Sequence, residues 1–90
     1  MFGEGFPIIY DAPADLKKWP SRDGQRLNGG RQPYLVFNGT LAGCIRELLA
    51  KPVKGISLYD IVTEPQPAFE QTVLSPADAA EIAMRKDFPK

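Results

Sequence analysis

Apolar positions change their spacing several times along the chain, and each change marks an element. Residues 7–10, PIIY, form a short apolar run that predicts a β-strand. In PADLKK (13–18), Pro13 suits a first helical position and Asp15 a first turn, which predicts a helix of one or two turns ended by Trp19-Pro20. Residues 20–33 are polar and carry three glycines, the composition of a long loop. YLVF (34–37) predicts a buried strand. It leads into a helix over 40–50, where Leu41, Ile45, Leu48 and Leu49 recur at helical spacing and Asn38 or Thr40 supplies the cap. Glu47 precedes Lys51 by four residues, the favourable order for an ion pair, and Pro52 stops the helix.

GISLYDIVT (55–63) is rich in β-branched and aromatic residues and predicts a second, longer strand. After a turn region, a further strand runs directly into a well-signposted helix. Ser75 is its N-cap, Pro76 takes the first helical position, and Asp78 completes a capping-box pattern. Leu74 ahead of the cap can staple onto Ala79, Ile82 and Ala83 extend the same face, and Arg85 and Lys86 suit the negative end of the dipole.

The predicted order is β-α-β-α-β-β-α. It implies an α+β fold, a small two-layer sandwich with helices packed on a three- or four-stranded mixed sheet, and residues 1–90 as a single small globular domain. The strand–helix–strand unit from 34 to 63 suits a right-handed crossover between parallel strands, and the last two strands suit an antiparallel hairpin. The same string of elements occurs in thioredoxin-like domains, whose redox cysteines lie between the first strand and first helix. Tyr10 to Asp15 holds no cysteine, which excludes that chemistry here.

Composition narrows the class. Ninety residues, 43% of them hydrophobic and 24% charged, are enough for one modest core. Eleven basic and eleven acidic side chains cancel, so no bulk charge draws the chain to nucleic acid or membrane. A single cysteine makes no internal disulfide. The first residues, MFGEGFPIIYDAP, lack the basic and long apolar regions of a signal peptide, and no apolar run approaches the ~20 residues of a membrane span. The expectation is a soluble, cytoplasmic protein.

Candidate chemistry centres on YLVFNGTLAGC, where strand, small polar turn, helix start and thiol follow one another. There is no histidine in the chain, which removes Cys-His and Ser-His pairs and most zinc sites. Cys44 shares an apolar stripe with Leu41 and Leu48 and reads as a small core hydrophobe. NGTLAG lacks the lysine-bearing end of a phosphate loop. Free amides at 39–41 can hold an anion, unless Asn38 or Thr40 caps them instead. Asp60 interrupts an apolar run, and the preferred register turns Tyr59 and Ile61 inward and leaves Asp60 exposed. No second carboxylate is committed to it, so no catalytic residue, metal ligand or cofactor site is assigned.

Charge is unevenly distributed. Residues 17–31 carry Lys17, Lys18, Arg22, Arg26 and Arg31 against Asp23 alone, a net +4, while residues 55–84 carry five carboxylates and no cation. The basic stretch also holds Trp19, and arginines interleaved with an aromatic suit single-stranded nucleic acid. In the competing reading, Trp19 pins this segment onto the core. The leading expectation is a non-catalytic interaction or regulatory module that binds a protein partner or a second copy of itself. The alternative is a binder of nucleic acid or another polyanion through Lys17, Lys18, Trp19, Arg22, Arg26 and Arg31.

Overall fold

The computed structural model describes residues 6–22, 25–26 and 32–89. The α+β class and its two layers stand, but the order of elements is different. Among the described residues six strands form: β1 (Pro13–Lys18), β2 (Ser21–Arg22), β3 (Gln25–Arg26), β4 (Tyr34–Thr40), β5 (Tyr59–Thr63) and β6 (Val73–Leu74). Two helices, α1 (Leu41–Leu49) and α2 (Pro76–Ala83), and a 3-10 turn over Val53–Leu58 complete the order. The main sheet runs β4-β1-β5-β6 with every neighbour antiparallel, so it is not mixed, and β2 pairs with β3 in a separate hairpin.

The expected first helix, residues 13–18, is the strand at the centre of this sheet. Ala14 and Leu16 are buried at alternate positions opposite Thr63 and Ile61, a period of two that only a strand satisfies. Pro13 is tolerated as the strand's first residue. The expected strand 7–10 is not one. Its backbone finds a side chain instead: the Ile9 amide donates to Gln66 Oε1 at 2.7 Å, and Gln66 Nε2 donates to the Ile9 carbonyl at 3.0 Å. Gln66 thereby does for Ile9 what a neighbouring strand would. The long strand 55–63 is divided, its first half being the 3-10 turn and only Tyr59–Thr63 extended. β4 and β5 are each antiparallel to β1, so they run parallel to one another and the strand–helix–strand unit joins parallel strands as expected, with β1 inserted between them. The thioredoxin-like string of elements is absent, because its first helix is the strand β1.

Local capping chemistry was legible. Thr40 caps α1, its hydroxyl accepting from the Gly43 amide at 3.0 Å. Ser75 and Asp78 form both bonds of the capping box at the start of α2. Both helices lie on one face of the sheet, where Leu16, Ile61 and Leu74 meet Leu41, Ile45, Leu48 and Ile82 in a core from which water is excluded. Such burial, at roughly 25 cal/mol per Å² of apolar surface, is the main force holding the two layers together. The opposite face, carrying Asp15, Lys17, Val62 and Val73, turns away from both helices, as the alternation of an antiparallel sheet permits. Among the described residues no helix is long and apolar enough to cross a membrane.

Candidate interaction surfaces

The glycines that suggested a phosphate cradle serve packing. A Cβ on Gly39 would stand 2.9 Å from the Phe37 ring, and one on Gly43 would stand 3.2 Å from the Thr40 hydroxyl. Gly39 therefore leaves room for an aromatic ring, and Thr40 takes the helix amide that an anion would need. Cys44 is fully buried. Burial, with the negative charge of Asp15 second, pushes its thiol up to about 11, so the nucleophilic thiolate is scarce at neutral pH.

The basic segment folds back on the sheet. Trp19 continues β1, its amide donating to the Leu58 carbonyl at 2.8 Å. Alternation puts its side chain on the open face with Lys17, whose register partner is Asp60. Ile61 faces the core as expected, but Asp60 is not exposed: only 9% of its surface meets solvent. Trp19 Nε1 and Arg26 Nη1 both donate to its Oδ2, at 2.8 and 2.9 Å, and Arg26 Nη2 donates to Oδ1 at 3.0 Å. Arg26 Nε and Nη2 also reach the Ser57 carbonyl, and the guanidinium lies 5.5 Å from the centre of the Trp19 ring. An Arg–carboxylate fork with a stacked indole is a strong, directional contact. The partner of the isolated carboxylate is thus the basic loop itself. Asp23-Gly24, a two-residue hairpin signal lying between β2 and β3 in the sequence, could have suggested that Arg26 returns to the sheet.

The remaining candidates scatter. Arg22 is exposed on β2. Lys18 turns to the helix side, where its Nζ lies 5.6 Å from the centre of the Tyr59 ring. Lys51, which the sequence did not single out for this role, approaches the same ring at 5.6 Å. Arg31 lies outside the described residues. Lys17, Trp19 and Arg26 therefore share one face, while Lys18 joins Lys51 on the other.

Two further surfaces have definite shape. At the other end of the open face, an open groove of about 330 Å³ is lined by Pro13, Ala14, Asp15, Asn38, Val62, Thr63 and Glu64. The Asn38 amide donates to Asp15 across it. Among the described residues no group of three or more His, Cys, Asp or Glu side chains is placed to hold a metal ion.

The second surface is the sheet edge formed by β4. Among the described residues this strand pairs with β1 on one side only, and Tyr34, Leu35 and Val36 are 51%, 56% and 39% exposed. Its seven residues include no Lys, Arg, Asp or Glu. Val36 is the extra residue of a bulge, since Leu16 pairs with Phe37 and Lys17 with Leu35. The opposite edge, β6, is only two residues long. Compared with protein-family models, curated proteins and solved structures, the chain matches none of them.

Proposed function

We propose that the protein is a non-catalytic interaction module that takes a partner strand along β4. The supporting observation is the contrast between the two sheet edges. β6 is guarded by its shortness, whereas β4 offers a long, uncharged row of backbone donors and acceptors beside three exposed apolar side chains. Adding a strand there uses main-chain hydrogen bonds for affinity and the exposed side chains for selectivity. The buried, high-pKa thiol and the carboxylate already satisfied by Trp19 and Arg26 weigh against an enzyme. A capped seven-residue peptide of alternating valine and threonine, with one lysine for solubility, is the direct test. NMR titration should shift the amides of residues 34–40 and leave those of 73–74 unmoved. Shifts confined to any other surface would defeat the reading.

A second reading has one observation in its favour. Lys18 and Lys51 bring two ammonium groups to one tyrosine ring, and Arg22, four residues after Lys18, is exposed on β2, so the β1 C-terminal end of the molecule is a candidate surface for a polyanion. It ranks second because Trp19 and Arg26, the best partners for a base and a phosphate, are already bound to Asp60.

A further inference from the structure

We infer that the partner strand on β4 is supplied by a second copy of this chain, paired antiparallel about a two-fold axis so that the four-stranded sheets of the two copies become one. This rests on the edge reading above and names its occupant. A strand edge that pairs with itself sets its own residues against one another, and like charges set opposite each other are destabilising. β4 is free of that penalty, because none of its residues is charged.

The charges on the adjacent strand choose the orientation. Lys17 and Lys18 stand beside Leu35 and Tyr34, at one end of the edge, and Asp15 stands beside Asn38, toward the other. Antiparallel pairing brings the Tyr34 end of each copy to the Thr40 end of its mate, so the lysines of one β1 lie toward the aspartate of the other. The two β1 strands would be three strand spacings apart, about 14 Å, which exceeds the Debye length of about 8 Å at physiological salt. The charges therefore steer orientation at low salt, while the ladder and the apolar side chains supply the affinity. The bulge at Val36 interrupts the regular ladder of the edge and so tempers the strength of the pairing.

Sedimentation equilibrium over a wide range of concentration tests this. The expected result is a monomer–dimer equilibrium that persists at high salt, with the amides of 34–40 gaining hydrogen-exchange protection as concentration rises. Leu35→Lys together with Val36→Lys, both at exposed positions, should weaken the dimer by about tenfold or more through edge charges. Should that variant misfold, the concentration-dependent protection of the wild-type edge still decides the question. A dimer that keeps its strength in the folded double variant, or whose protection maps elsewhere, overturns the inference. A chain that stays monomeric yet binds the strand peptide overturns self-pairing and leaves the edge reading standing. If it also ignores the peptide, both fall.

Discussion

Cys44 sits where its ionised form is least welcome. It packs in the core between α1 and the sheet, and loss of water raises its thiol from 9.0 to about 11. In the unfolded chain the thiol regains its ordinary value, so between about pH 9 and 11 the unfolded state releases a proton that the folded state retains. Stability from this group is therefore complete below the lower value and lost as pH rises through the window. Chemical denaturation at about pH 8 and about pH 10 should show the decline, and Cys44→Ala should remove its share of it. Tyr10, whose phenol is also raised first by burial, contributes in the same direction and accounts for what persists in the variant. At about pH 8 a thiol reagent should label the folded protein slowly and the denatured protein at once. Fast labelling of the folded chain would mean that the core opens at Cys44.

At the scale of elements, the β2–β3 hairpin shows how little a short strand specifies alone. Two residues on each side do not hold a hairpin in water. Its anchor is Arg26, whose fork onto Asp60 and the Ser57 carbonyl fixes it to β5 and the turn before it. Arg26→Ala should release the hairpin and leave Asp60, 12% exposed at its side chain, with the Trp19 indole as its remaining side-chain donor among the described residues. The expected cost is about 1–3 kcal/mol, read from the unfolding midpoint, with indole fluorescence moving toward a wetter environment. An unchanged midpoint would show that the hairpin is held by something other than the fork. Elements with local causes were legible in the sequence: both helices, their Thr40 and Ser75 caps, and the β5–β6 hairpin. β1 was not, because Pro13 and Asp15 fit a helix start as well as a strand start, and its pairing on both sides is made with residues distant in the chain, from Lys18↔Tyr34 outward to Ala14↔Thr63. Asp60 was misjudged for the same reason: its cover arrives from Trp19 and Arg26, 41 and 34 residues earlier in the chain.

For the molecule as a whole, the uneven charge of the sequence is partly resolved within the fold. Arg26 from the basic segment neutralises Asp60 from the acidic one, and Trp19 is held between them. What remains is a molecule with Lys17, Lys18, Arg22 and Lys51 toward one end of the strands and Asp15 and Glu64 toward the other. This polarity can guide a second copy or a polyanion, and the two differ in how they respond to salt. Strand pairing survives moderate salt because backbone bonds and apolar burial are not screened. Contacts to single-stranded nucleic acid release counterions, so affinity falls with a log–log slope of about −0.7 per phosphate neutralised. The expected outcome is that an oligonucleotide is not retained at about 50 mM salt, while self-association is unchanged from low to high salt. Steep, salt-sensitive retention would reverse the ranking, and the variants that test it follow from the fold. Lys18→Ser with Lys51→Ser should then lower the slope by about 1.4, because two phosphate contacts are removed. Trp19→Ala or Arg26→Ala would mislead as probes of binding, since each removes a hydrogen bond to Asp60 and disturbs the hairpin itself. If the oligonucleotide is retained and the paired lysine variant keeps the full slope, the basic end is not the contact surface.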